Sequence, residues 1–171
     1  MKKITFVFLL TVFAGVFQLA KAQNIAHLNS IELLNLMPEK KSADDQLKTL
    51  ADQKKAELKK QEDAFTAKYQ KIQDEIAKKP QAEQEKEFQK YQEEFQKDNQ
   101  NLLALRETAA KELEKKQDDL YDPITKKAQN AVNDVAKAKG YLYVFDTSQP
   151  SLIYAAGPNI LDEVKAKLGL K

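Results

Sequence analysis

The chain has 171 residues, of which 28 are Lys or Arg and 26 are Asp or Glu, giving a formal net charge of +2. It contains no cysteine and a single histidine, His27, which argues against a disulfide framework and a structural zinc site. None of its four glycines begins a phosphate-binding GxxxxGK(S/T) motif. The sequence therefore predicts a protein that is not an enzyme and uses no cofactor.

The first 22 residues have the layout of a secretory signal peptide. Lys2 and Lys3 precede an apolar run, and Ala20-Lys21-Ala22 offers a small-residue cleavage site. The alternative is an uncleaved membrane anchor, which the short apolar run disfavours. Cleavage leaves residues 23–171, in which 25 basic side chains stand against 26 acidic ones. We expect an exported, soluble chain without the positive surplus that nucleic-acid binding requires.

A short strand and a short helix are predicted next. The segment Asn24–Ser30 is typical of a strand, and Ser30 is a candidate N-cap for a helix over Ser30–Met37 that ends before Pro38. Because no second ligand accompanies His27, we interpret it as an ordinary strand residue.

The long middle segment is predicted to fold back on itself at Pro80. Residues 39–139 contain no glycine and are rich in residues that favour helix. The residue before a proline avoids helical geometry, so Pro80 marks the turn of an antiparallel coiled-coil hairpin. We expect the hairpin to span residues 40–119, with pairing that stops near Pro38 and Pro123, which are also the predicted hinges.

The contact seam of the hairpin follows from facing positions whose residue numbers add up to 160. At that sum, apolar residues of the two helices lie opposite each other, whereas sums of 159 and 161 place Phe65 and its neighbours opposite polar residues. Most flanking charges also pair with opposite sign, with Lys54–Arg106, Glu62–Asp98 and Glu75–Glu85 as like-signed exceptions. The predicted seam consists of Leu47, Leu58, Phe65, Tyr69, Ile72, Phe88, Tyr91, Phe95, Leu102 and Leu113. Leu103, beside the seam, is the better candidate for exposure.

Residues 23–39 and 120–171 are predicted to form a small β-rich body. A helical face over residues 124–138 ends at Gly140, which is a natural helix terminator. Two strands should follow, Tyr141–Asp146 and Leu152–Ala155, and then a final helix capped by Asn159.

The predicted body core is aromatic and aliphatic, and it consists of Ile25, Leu28, Tyr141, Tyr143, Phe145 and Ile153. These aromatic residues could also form a stacking platform for nucleic acid, but no basic residues are interleaved with them, which favours a sheet core. Three short strands and two short helices bury little apolar surface, so we expect the body to oligomerise.

With these elements in this order, the chain resembles the Skp/OmpH family of periplasmic chaperones over essentially the whole expected mature chain. The resemblance depends on three stretches, LNSIELLNLMPEKKSADDQL, LYDPITKKAQNAVNDVAKAKGYLYVFD and LIYAAGPNILDEVKAKL. It implies a homotrimer in the periplasm, with a β-rich body that carries three helical hairpins around a cavity. Unfolded outer-membrane proteins would be held there without ATP before their insertion into the membrane.

The expected fold class is therefore mainly α, with a small β body and a long antiparallel hairpin that projects from it. The runner-up function is a non-enzymatic coiled-coil adaptor that bridges components of the cell envelope. The inner face of an envelope membrane is a further candidate partner. Residues 40–120 carry 18 basic and 19 acidic side chains, so no lipopolysaccharide site is transferred from basic members of the family. The sequence leaves the client-binding residues unknown.

Overall fold

The computed structural model describes residues 24–150 and 152–170. The predicted signal peptide, residues 1–22, lies outside the described residues. The elements in chain order are β1 (Ile25–Leu28), α1 (Ser30–Leu36), α2 (Pro38–Ala77), α3 (Gln81–Lys139), β2 (Tyr143–Asp146) and α4 (Leu161–Leu168). A mainly helical chain with a long helical pair and a small sheet confirms the predicted fold class. No helix within the described ranges has both the length and the apolar composition needed to cross a membrane.

The chain divides into two compact units. The first, which we call the hairpin unit, comprises residues 38–124, and the second, the body unit, comprises the described residues before and after it.

The hairpin unit contains α2 and most of α3, joined by residues 78–80. Pro38 is the first residue of α2, where its missing N–H costs no helical hydrogen bond. The 40 residues of α2 correspond to a length of ~60 Å. Pro80 lies in the connection, and its carbonyl accepts a hydrogen bond from the N–H of Glu83 at 2.8 Å, which starts α3.

Pro123, near which we expected the pairing of the hairpin to stop, does not interrupt the helix that contains it. Helix α3 runs without interruption from Gln81 to Lys139, with Pro123 inside it. An internal proline removes one backbone hydrogen bond and costs ~3 kcal/mol. Apolar residues on the same helix recover that cost by burial: Ile124, Ala128, Ala131 and Val135 are each at most 8% exposed.

The body unit is built on a two-stranded parallel sheet. Strand β1 pairs with β2 in a register that sets Ile25 beside Tyr143 and Leu28 beside Asp146. On its other edge, β1 meets the segment before α4, where the N–H of His27 donates to the carbonyl of Pro158 and the N–H of Ile160 donates to the carbonyl of His27, both at 2.9 Å.

Two of the strand predictions need correction. Strand β2 begins at Tyr143 instead of Tyr141, because the N–H of Tyr141 donates to the carbonyl of Ala136 and so closes the end of α3. Gly140 adopts φ +71° there, as its predicted role as a helix terminator requires. Residues 152–155 form no strand, since the edge of β1 is already occupied by residues 158–160.

The predicted helix caps are also displaced by one residue. Asn29 is the N-cap of α1, and its side-chain oxygen accepts a hydrogen bond from the N–H of Glu32 at 3.0 Å. Ile160 is the cap residue of α4, while the side chain of Asn159 accepts a hydrogen bond from the N–H of Leu161 at 2.9 Å.

The body core is mostly different from the predicted one. Among the predicted residues, Leu28 is buried and Tyr141 is half-buried. The prediction is wrong for the four that are exposed, namely Ile25, Tyr143, Phe145 and Ile153. A strand sends alternate residues to opposite faces, and β1 buries Ala26 and Leu28 against the helices. The observed core consists of Ala26, Leu28, Leu33, Met37, Ile160, Leu161 and Val164, with Ala128, Ala131 and Val135 from α3.

Candidate functional site

The side of α3 that faces α2 changes character toward the turn. Leu102, Leu105, Ala109 and Leu113 follow one another at helical spacings and are buried or half-buried. Closer to the turn, the least exposed positions on α3 include Asp98 and Glu87, whose side chains are 29% and 18% exposed. Phe95 and Phe88 are 43% and 57% exposed. These two phenylalanines therefore lie at the open edge of the hairpin. We had predicted that they lie in a closed seam.

A polar cluster replaces apolar packing at Asp98. Its Oδ2 accepts hydrogen bonds from Nζ of Lys68 at 2.6 Å and from the hydroxyl of Tyr69 at 3.0 Å. Lys68 also donates to Glu94 at 2.6 Å. The bonds from Lys68 and Tyr69 lower the pKa of Asp98, and those to Asp98 and Glu94 raise the pKa of Lys68. This cluster joins the two helices through charge-assisted hydrogen bonds.

Further polar bridges join α2 to α3 along the hairpin. Lys79 pairs with Glu87 at 3.1 Å, Glu62 with Arg106 at 2.6 Å, and Lys54 with Glu112 at 2.5 Å. At the end far from the turn, the hydroxyl of Tyr121 and Nζ of Lys40 both donate to the carboxylate of Asp44.

These ion pairs differ from the charge pairs that the sum of 160 predicts, although the contact between Phe65 and Phe95 keeps that sum. Their residue numbers add up to between 162 and 168, and not to 160. At a sum of 160, Lys48 would face Glu112 and Asp63 would face Lys97. They pair instead with Asp52 and Lys59, each four residues away on the same helix. The like-signed exceptions Lys54–Arg106 and Glu62–Asp98 were the signal in the sequence that these charges take other partners, as they do in the pairs Lys54–Glu112, Glu62–Arg106 and Lys68–Asp98.

Aromatic rings of the two helices contact each other at one level of the hairpin, near this polar cluster. Phe65 and Phe95 lie with ring centroids 5.4 Å apart, which is one of the predicted contacts. Tyr69 packs edge-on against Phe95 at 4.8 Å. Among the described residues, no ring contact involves Phe88 or the predicted pair Tyr69–Tyr91.

Between this aromatic level and the turn lies a cleft of about 340 Å³, which we call the tip cleft. Its apolar lining is made of Tyr69, Ile72, Ile76, Phe88, Tyr91 and Phe95. Its polar lining is made of the three glutamines Gln73, Gln92 and Gln96. The tip cleft combines aromatic and aliphatic surface with neutral amide groups.

The body unit has an apolar surface of a different kind. Ile25 and Tyr143 are neighbours in the parallel register, and Phe145 follows on the same face of the sheet. Tyr143 is 60% exposed and Phe145 47%. Elsewhere in the body unit, Leu142, Ile153 and Tyr154 are also strongly exposed. We call Ile25, Tyr143 and Phe145 the aromatic sheet face. A single chain leaves it uncovered, although its residue types usually become buried.

The opposite face of the sheet is fixed by Asp146. Its carboxylate accepts hydrogen bonds from the N–H and hydroxyl of Ser30, at 3.0 and 2.5 Å, and from the N–H of Ser148 at 2.9 Å. Burial opposes ionisation of Asp146, but these hydrogen bonds outweigh it and lower the pKa to about 2. Ser30, which we had predicted as a helix cap, instead ties the start of α1 to the end of β2.

The remaining predicted residues fall in several places. The seam residues Leu47, Leu58, Phe65, Tyr69, Ile72, Tyr91, Leu102 and Leu113 are half-buried between the helices. Leu103 is 52% exposed, as expected. Sequence reasoning missed the polar cluster at Asp98, because a search for apolar periodicity passes over a charged residue at an inward position.

Comparison with known proteins yields one family. A family model described as "Outer membrane protein (OmpH-like)" matches residues 24–168. No curated protein matches the chain. OmpH-like proteins are periplasmic chaperones, not enzymes, and they generally oligomerise and bind unfolded outer-membrane proteins. Since the match spans both the hairpin unit and the body unit, the chain belongs to the OmpH-like family.

Proposed function

We propose that this protein is an ATP-independent periplasmic holdase, which binds unfolded outer-membrane proteins and prevents their aggregation before membrane insertion. The observation that carries this proposal is the family match over residues 24–168. An exported holdase needs no nucleotide site, in keeping with the lack of a phosphate-binding motif in the sequence.

The hairpin unit supports this function through the partial exposure of its apolar residues. Within residues 38–124, the apolar residues that are buried are Ala43, Ala109 and Ile124. Larger side chains such as Phe88 and Phe95 stay accessible. Many weak contacts of this kind can cover an exposed strand of an unfolded chain and release it again.

The body unit supports association of several copies. The aromatic sheet face has the composition of a protein interface, in which tyrosine and phenylalanine are enriched. We propose that copies of the body cover this face in one another and form a homotrimer, the number implied by the resemblance to Skp/OmpH chaperones. The hairpins of such an assembly would surround the client, and Pro38 and Pro123 remain the proposed hinges.

The proposed function is tested by diluting a urea-denatured outer-membrane protein into buffer and following light scattering. Equimolar assembled protein should suppress the scattering without ATP, and ATP should not change the result. An equal mass of a globular protein without chaperone activity is the control. Unchanged scattering in the presence of this protein would contradict the proposal and favour the adaptor that bridges envelope components.

A further inference from the structure

The tip cleft differs in charge from three other clefts between α2 and α3. One neighbouring cleft is lined by Lys68 and Asp98, and another by Lys54, Glu62 and Arg106 among others. The cleft at the far end of the hairpin includes Lys41, Asp45 and Lys116. Within the described chain, the residues that line the tip cleft include no charged side chain.

Two features make the tip cleft accessible to a ligand. Phe88 is 57% exposed, and its ring makes no ring contact among the described residues. Phe95 presents the part of its ring that Phe65 and Tyr69 do not cover, and it is 43% exposed. Aromatic side chains in such positions gain additional contact area when another aromatic ring packs against them.

The neutral lining limits what can be bound. A charged ligand would lose hydration in the tip cleft without gaining a partner of opposite sign. Side-chain amides of Gln73, Gln92 and Gln96 can each donate and accept hydrogen bonds, as the peptide groups of an extended chain require. Both the apolar and the polar part of the lining thus complement an extended, uncharged stretch of polypeptide.

We infer that the tip cleft binds an extended, uncharged polypeptide segment that carries an aromatic side chain. The inference rests on the proposed function and gives it a specific contact site on the hairpin. The competing partner is a membrane surface, into which Phe88 and Phe95 would insert. Membrane-surface helices carry an excess of Lys and Arg on their polar face, whereas residues 40–120 carry 18 basic and 19 acidic side chains.

The test uses a labelled ten-residue peptide in which Phe and Tyr alternate with Ser and Thr, and the expected mature chain, residues 23–171. Phe88→Ala removes the most exposed ring of the cleft, and Leu103→Ala removes an apolar side chain of the same helix, 52% exposed, that does not line the cleft. We expect Phe88→Ala to weaken peptide binding about tenfold, which is ~1.4 kcal/mol. Leu103→Ala should change the affinity less than twofold.

A second pair of variants tests the role of charge. Gln92→Glu puts a carboxylate in the lining, and Gln100→Glu adds the same charge on an exposed part of α3 outside the cleft. Gln92→Glu should weaken peptide binding several-fold and Gln100→Glu should not. Methyl NMR should show peptide-induced shifts at Ile72 and Ile76, which line the cleft, and smaller shifts at Ile124, with circular dichroism confirming that each variant is folded.

Several results would overturn the inference. It fails if Phe88→Ala binds the peptide like the unsubstituted protein, or if Leu103→Ala loses as much affinity. It also fails if Phe88→Ala lowers binding to phosphatidylethanolamine–phosphatidylglycerol vesicles but leaves peptide binding unchanged, since the surface would then serve a membrane. If the protein binds the peptide at the cleft but does not protect a denatured outer-membrane protein, the proposed function is contradicted, whereas the inference that the cleft binds polypeptide is supported.

Discussion

The hairpin unit and the body unit obtain their stability in different ways. In the hairpin unit, large apolar side chains are half-buried and polar bridges such as Asp98 with Lys68 and Tyr69 join the two helices. In the body unit, Leu33, Met37, Ile160 and Val164 are almost completely buried, yet the aromatic sheet face is open.

The difference bears on which part of the chain would contact other copies in the proposed assembly. The hairpin unit pairs its two helices within one chain, and its remaining apolar surface is dispersed and accessible. The body unit has one closed face and one open face on the same small sheet, an arrangement that association between copies would complete. We therefore relate transient binding to the hairpin and permanent association to the body.

The largest effect that separates the two units should come from removing apolar volume. Leu33→Ala empties a site in the body that is 1% exposed, and we expect a loss of 2–5 kcal/mol in the free energy of unfolding. Leu58→Ala in the half-buried hairpin seam should cost about 1 kcal/mol, because solvent already reaches that site. Denaturant unfolding at equal protein concentration measures both. Equal losses would show that the two units are packed alike.

A smaller effect is expected for the carboxylate that fixes the closed face of the sheet. Asp146 has a pKa of about 2 in the folded chain and ~3.9 when unfolded, so its ionised form stabilises the body by ~2 kcal/mol. This contribution is complete above about pH 5 and declines as the pH falls toward 2. Asp146→Asn should lower stability at pH 7 and differ less from the unsubstituted protein at pH 3.

Asp162→Asn provides the control for that experiment. The side chain of Asp162 is 90% exposed and pairs only with Lys165 three residues away among the described ion pairs. Its substitution should change stability by less than about 0.5 kcal/mol at either pH. A deficit of Asp146→Asn that is the same at pH 7 and pH 3 would contradict the role assigned to its charge.

The smallest effect should come from the polar cluster of the hairpin. Asp98→Ala leaves the Tyr69 hydroxyl and Lys68 without their shared acceptor, and we expect a loss of about 1 kcal/mol. Asp63→Ala is the matched control, since Asp63 forms an exposed ion pair with Lys59 within α2 and does not join the two helices. Thermal unfolding of both variants gives the comparison. If Asp63→Ala costs as much, the cluster contributes no more than a surface ion pair.

The sequence predicted the helices of the hairpin correctly but not the ion pairs between them. About forty residues of helical pattern on each side of Pro80 were enough to predict α2, the turn and the first part of α3. The predicted charge pairs were wrong because apolar periodicity does not determine which partner a long charged side chain reaches. Lys54 pairs with Glu112 and Glu62 with Arg106, and not with the residues that face them at a sum of 160.

The predicted core of the body unit was wrong for another reason. Tyr143 and Phe145 were assigned to the core because large aromatic residues are usually buried. A short strand has two faces, however, and the face buried within one chain is that of Ala26 and Leu28. The residues that pack inside, Ala26, Leu28 and Val164, are smaller and less conspicuous. The tip cleft was missed in the same way, since Phe88 and Phe95 were counted as seam residues on the strength of their apolarity.

The central claim, that the body associates while the hairpin is complete within one chain, is tested most directly by the mass of the particle in sedimentation equilibrium. Two variants each replace two exposed aromatic residues by serine: Tyr143→Ser with Phe145→Ser in the body, and Phe88→Ser with Phe95→Ser in the hairpin. We predict the mass of three chains for the unsubstituted protein and for the hairpin variant, and the mass of one chain for the body variant. A body variant that stays trimeric, or a hairpin variant that dissociates, would contradict the account.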